Sequence, residues 1–292
     1  MKETIPVFYD VRQVSQPASF SPSATKPRRV VERWQAMSFP INIVAPQPLT
    51  EANLKLAHEA NYVEGILNCR IPNGFGSKDP AVGASLFWTT GSMLSAARSA
   101  LASGGVAVSP TSGFHHAGHN WGGGFCTFNG LMTTVLSLVA TGEVRKVAIL
   151  DCDEHFGDGT EDIINTLDLR HIVRHVTAGS GYSRHPDSFL GALPSILATF
   201  LDCDLILYQA GADPHVADPL GGWLTTDQLF ERDRRVFACA RMHGIPIAWN
   251  LAGGYQNPFE EVLRIHDNTL RACATAFLGE DSCPYMMMRK RN

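Results

Sequence analysis

The chain has 292 residues, 45% of them hydrophobic, and a formal net charge of −4. That length holds one large α/β domain or two smaller ones, and the charge gives no electrostatic reason to expect nucleic acid or an acidic membrane surface as partner. No apolar run approaches the ~18 residues of a membrane span, and no apolar stretch of signal-peptide length follows Met1, so a cytoplasmic protein is expected.

In chain order, Ile5 to Tyr9 is a short β-prone run, and Ser15 to Pro27 is a Ser/Pro-rich loop. The basic cluster Lys26-Pro27-Arg28-Arg29 reads as a solvated helix start, with helix continuing through Val30 to Met37. Ile41 to Ala45 is a second strand. Thr50 opens a helix to about Ala60. Asn68 to Gly83 is long, polar and rich in Gly and Pro, the character of a rim or lid. Leu86 to Ala102 is helix, ended by Gly104-Gly105. Val106 to Val108 is a buried strand.

It leads into Gly113-Phe114-His115-His116-Ala117-Gly118-His119 and a triple glycine, Gly122 to Gly124. Two adjacent imidazoles between a strand and a helix stand where α/β sheets carry their sites, and point to function. His119 shows no partner and is left at the surface. Leu131 to Ala140 is helix.

Val147 to Leu150 is a buried strand that ends in Asp151-Cys152-Asp153-Glu154-His155-Phe156-Gly157-Asp158-Gly159. Alternation along an extended chain puts Asp151, Asp153 and His155 on one side. Two carboxylates and an imidazole converging there are reconciled by a divalent cation. The plainer alternative is that Asp151 caps the next helix and His155 is an ordinary packed histidine.

Helix follows from Gly159 to Leu167, strand from Ile172 to Val176, loop from Ala178 to Asp187 and helix from Phe189 to Phe200. Leu205 to Asp213 repeats the earlier logic, an apolar strand and then an acid, which makes Asp213 the natural third ligand. Thr226 to His243 is an amphipathic helix. Ile245 to Leu251 is a strand ending in Ala252-Gly253-Gly254-Tyr255, whose tyrosine hydroxyl is free to reach a ligand. Glu260 to Leu278 is helix, and Met286 to Asn292 a frayed or surface tail. With no repeat and no low-complexity linker, residues 1–292 are expected to form a single domain. Its class is α/β, three layers, with a mostly parallel central sheet of about seven or eight strands and helices on both faces. The seven cysteines, scattered with no Cys-x-x-Cys pair, read as reduced core residues. Cys152, opposite the acids, reads as packing.

Four of these stretches, in this order, resemble the zinc-dependent histone deacetylase and acetylpolyamine amidohydrolase family, with its arginase-deacetylase fold. They are Gly113 to His116 with Gly124-Phe125-Cys126; Asp151 to Gly159; Gly211-Ala212-Asp213 with Asp218 to Gly221; and Gly253-Gly254-Tyr255. The resemblance implies a metal-dependent amidohydrolase that removes an acetyl or other acyl group from an amine, such as acetyl-lysine in a peptide or an acetylpolyamine. It implies Asp153, His155 and Asp213 as metal ligands, and His115 and His116 as the tandem imidazoles with Asp151 and Asp158 behind them. Tyr255 then faces the substrate carbonyl, Phe125 walls the acyl tunnel and the Gly124 carbonyl meets the substrate amide.

Chemistry assigns roles to these positions. An imidazole near its ordinary pKa of ~6.5 suits a general base, here His116 oriented by Asp158. His115, against Asp151, stays protonated. The resemblance implies Zn2+ as the first expectation, and a donor set of hard oxygens and one nitrogen also admits Fe2+, Mn2+ or Co2+. The resemblance also implies K+ near Asp151 and Asp153. Two departures stand out: Phe156 replaces a second histidine, and the segment between Val176 and Phe189 is too short to bring a second aromatic wall. Competing readings are a catalytically weak module that binds acylated ligands and an arginase-like ureohydrolase. A homo-oligomer sharing the Asn68 to Gly83 rim stays open.

Overall fold

The computed structural model describes residues 3–182 and 184–279. Among them seven strands form one sheet: β1 (Ile5–Phe8), β2 (Ile41–Val44), β3 (Val106–Ser109), β4 (Val147–Asp151), β5 (Val173–Thr177), β6 (Leu205–Gln209) and β7 (Ile247–Asn250). Helices fill the connections: α1 (Lys26–Ala36), α2 (Glu51–Ala57), α3 (Ala60–Leu67), α4 (Pro80–Ser103), α5 (Gly130–Ala140), α6 (Asp158–Thr166), α7 (Ala178–Tyr182), α8 (Pro186–Ala198), α9 (Thr226–His243) and α10 (Glu260–Leu278). The sheet order is β2-β1-β3-β7-β6-β4-β5, and every pairing is parallel. This is the expected α/β sheet, parallel throughout.

The strands alternate between two cores because successive side chains leave a strand on opposite faces. Val106, Val108, Ala148, Leu150, Ile206, Tyr208, Ile247 and Trp249 join one cluster with α1, α8, α9 and α10. Ala107, Val147, Ile149, Leu205, Leu207 and Ala248 join the other with α2 to α6. Both faces are therefore covered, which is why the strands read as continuous apolar runs. The four neighbours β3, β7, β6 and β4 occupy the middle of the sheet, so their carboxyl-end loops meet.

Several local expectations change. The basic cluster is not a solvated helix start at its first residue: Lys26 begins α1 and is fully buried, its Nζ donating to the Ala252 carbonyl at 2.7 Å. The helix from Thr50 breaks at His58, whose backbone turns extended. Its ring is held by the Gly118 carbonyl and the Asn129 amide, at 2.8 and 2.9 Å, and that tertiary anchor overrides helix propensity. The stretch after β5 holds the short α7 rather than loop throughout. His119 is partnered: its amide donates to Asp162 and its ring meets the Ala57 carbonyl, at 2.7 and 2.9 Å. The six cysteines among the described residues are free, and burial pushes the Cys152 thiol well above its ordinary range, consistent with packing. The Met286 to Asn292 tail lies outside the described residues. No described helix is long and apolar enough to cross a membrane.

Candidate active site

The carboxyl ends of β3, β4, β6 and β7 open into a cavity of about 160 Å³. Its lining includes His115, His116, Gly124, Phe125, Asp153, His155, Gly253 and Tyr255. The backbone after β3 is fixed before it reaches the cavity. Gln209, at the end of β6, accepts the Phe114 amide at 3.1 Å and donates to Asp151 Oδ1 at 2.8 Å. Asn129 donates to the Ala117 carbonyl and to Thr160, at 3.1 and 3.0 Å. Thr160 in turn donates its amide to the His115 carbonyl at 3.1 Å. A side chain at Gly159 would collide with the Ala117 backbone, so only glycine lets α6 start this close to the histidines.

Asp153, His155 and Asp213 each offer a donor atom, and the three lie within 4.8 Å of one another. His155 Nδ1 is 3.2 Å from Asp153 Oδ1 and 3.3 Å from Asp213 Oδ2. Asp153 and Asp213 are buried, and Asp213 Oδ2 has no hydrogen-bond partner. Burial and the charge of Asp153 push Asp213 up to about 8. Burial also acts to raise Asp153, but His115 and His155 outweigh it and hold that carboxyl far below its usual range. His155 is pulled up to about 11 by its hydrogen bond to Asp153 and by the nearby Asp213 carboxylate. Two buried acids and an imidazole thus compete for positive charge in one place, with an orphaned oxygen among them. A divalent cation satisfies all three donors, so the residues fit a metal.

The two neighbouring histidines each place Nδ1 on a carboxylate. His115 Nδ1 lies 2.7 Å from Asp151 Oδ2, and His116 Nδ1 lies 2.6 Å from Asp158 Oδ1. Their rings are 4.0 Å apart. For His115, burial opposes the charge, but Asp151 and Asp153 prevail and raise it to about 9. For His116, burial and the neighbouring charge of His115 prevail over Asp158 and lower it.

Tyr255 is set by its own amide, which donates to Asp218 Oδ2 at 2.7 Å. Burial, then Asp213 and Asp153, push its phenol well above the ordinary range, so it stays a donor. Phe125 has a positive φ of 67° and follows Gly124 at 50°. A side chain at Gly124 would strike the His116 ring. The Phe125 amide donates to the Gly74 carbonyl at 3.1 Å, which joins the Asn68 to Gly83 segment to the cavity mouth. Around Phe125 lie Phe20 at 5.3 Å, edge-on, with Phe75 and Tyr255 each at 5.8 Å. Nothing from α7 or α8 joins the described lining.

All ten residues singled out in the sequence come together here. Those missed are Gln209, Lys26 and Phe20. A glutamine closing an apolar strand was a readable signal for the first; Phe20 sits in a loop whose path the sequence does not disclose, and Lys26, at the start of α1, is buried by that same path.

A family model for the histone deacetylase domain matches residues 23–173 and 170–273. An uncharacterized protein of Picosynechococcus is 28% identical over 261 residues, covering 82% of this chain and 87% of that one. Histone deacetylase 2 of Arabidopsis thaliana is 29% identical over 182 residues, 54% of this chain and 46% of that protein. Among solved structures, an acetylpolyamine aminohydrolase from Burkholderia pseudomallei superposes with a TM-score of 0.72 at 17% identity, covering 94% of this chain and 99% of that one. The family match runs through every strand end that lines the cavity, and the chain belongs to the histone deacetylase domain family.

Proposed function

We propose that this chain is a metal-dependent amidohydrolase that removes an acetyl or other short acyl group from an acylated amine. One observation carries the reading: the Asp153-His155-Asp213 donor cluster shares a cavity with a carboxylate-paired imidazole, His116, and with Tyr255. A divalent ion on those three donors would polarise the acyl carbonyl and acidify a water. Zn2+ is the first choice, and Fe2+, Mn2+ or Co2+ fit the same donors.

The chain's own groups supply the rest. His116 is held neutral at pH 7 and takes a proton from the attacking water through Nε2, because Asp158 occupies Nδ1. It then returns that proton to the leaving amine. His115 keeps its proton against Asp151 and contributes positive charge to the inner wall. The Tyr255 hydroxyl donates to the carbonyl oxygen as it gains charge, a contribution typically worth ~10²–10³ in rate. Phe125 and Leu220 flank the path of the acylated stem.

The test is acetate release from an acetyl-lysine peptide, an acetylpolyamine and a small N-acetyl amine, with each metal added singly to chelated protein. Release that stops on chelation and returns with metal is expected. Stoichiometric metal binding with no release from any of the three would sink the reading.

A further inference from the structure

Lys26 is buried, yet the chemistry above does not use it. It is anchored by the helix it starts: Trp34 of α1 packs on Trp249 of β7 at 5.9 Å, and Arg33 bonds Asp267 of α10 at 2.7 Å. From there Nζ reaches the Ala252 carbonyl at 2.7 Å. Burial lowers the Lys26 ammonium to about 8, with Asp213, Asp153 and Asp218 opposing it.

Its partner is unusual. Ala252 has φ of 51°, the left-handed region that a residue with a Cβ enters only at a cost. The turn that follows is the one that serves the site. Gly253 donates its amide to Asp153 Oδ2 at 2.8 Å, and the Gly253 carbonyl accepts the Ala212 amide at 3.1 Å. Gly254, at φ 139°, has no room for a side chain beside Val262 and Ala212, and Tyr255 comes next. A relaxed Ala252 would redirect all three residues.

We propose that Lys26 is a positioning residue: its grip on the Ala252 carbonyl holds that alanine left-handed, which aims the Gly253 amide at Asp153 and turns Tyr255 into the cavity. The backbone claim stands alone; its consequence for turnover rests on the proposed function.

A double-mutant cycle of Lys26→Met and Ala252→Gly tests it. Glycine adopts this backbone without a clash, so Ala252→Gly should raise the melting temperature of the metal-free protein when Lys26 is present. In the Lys26→Met background the turn has already relaxed, and the gain should shrink or vanish. In turnover, Lys26→Met should lower kcat by about tenfold or more with little change in KM, since a small misplacement of a reacting group is that costly. Ala252→Gly should restore part of this loss, and Lys26→Arg, which keeps a donor, should also retain part of kcat. Melting shifts that simply add, or wild-type kcat in Lys26→Met, would overturn the proposal. If Lys26→Met does not fold, the same cycle is run with Lys26→Gln. Should the metal-loaded wild type release no acetate, the proposed function falls, and the metal-free melting cycle still decides whether the grip exists.

Discussion

At the inner wall of the cavity, Asp151, Asp153, Asp213 and His115 are buried, and they leave strand ends or the residues just beyond them. At its mouth, Phe20 is 76% exposed and Phe125 sits in a loop at positive φ. The two tandem histidines straddle this divide. The His115–Asp151 side chains are 3% and 0% exposed, whereas those of His116–Asp158 are 21% and 50% exposed. The imidazole–carboxylate contact acts upward on both rings, yet they end on opposite sides of the ordinary value: for His115, Asp151 and Asp153 outweigh burial, and for His116, burial and the His115 charge outweigh Asp158. On the proposed function, the neighbouring charges and not the pairing alone divide the roles, a held positive charge at His115 and a proton acceptor at His116.

The largest effect should come from the inner wall. Asp213→Ala removes the oxygen that has no other partner and one of the three donors, and should abolish both bound metal and turnover. Elemental analysis of the purified variant decides it, and stoichiometric metal would show that the cluster is not the metal site. His116→Ala, one step outward, should keep its metal and lose ~10²–10⁴ in kcat, the usual worth of a general base. A loss no greater than a few-fold, with metal in place, would move the base to another group and erase the division between the two histidines.

A pH profile sharpens the same contrast. As a base, His116 must be neutral, so activity should fall as pH drops through its pKa. Because burial and the His115 charge lower that pKa, the acid limb of kcat/KM should lie below the ordinary ~6.5 of histidine. Asp158 acts to raise it, so Asp158→Asn should move the limb further toward low pH. An acid limb well above 6.5, or one that Asp158→Asn moves upward, would contradict the assignment.

The contrast between inner wall and mouth also marks where sequence reasoning reached. Asp151, Asp153 and Asp213 were legible because each ends an apolar run, and strand alternation sets the side on which it emerges. The seven parallel strands were legible from the same runs. Lys26 was misread because local sequence shows a basic helix start; burial comes from the β7 turn, 226 positions away. The break at His58 escaped for a like reason, since the bonds that cause it come from Gly118 and Asn129. At the mouth, Phe20 lies in a Ser/Pro-rich stretch with no periodicity, so nothing local ties it to Phe125.

The smallest effect concerns that ring. The stretch after β5 is short and lends nothing to the described lining, so the aromatic partner of Phe125 must come from elsewhere. Phe20, on the loop before α1, meets it edge-on at 5.3 Å. Such a contact is worth ~0.5–1.5 kcal/mol, a few-fold to about tenfold in affinity if a substrate stem shares it. The ring is remote from the metal donors, so kcat and metal content should not change in Phe20→Ala. KM should rise a few-fold for an acetylated amine with a long aliphatic stem, which passes the mouth. It should stay constant for a short N-acetyl amine that ends inside. An equal change in KM for both substrates would mean that Phe20 supports the fold of the loop, and no change for either would leave Phe125 without an aromatic partner in substrate selection.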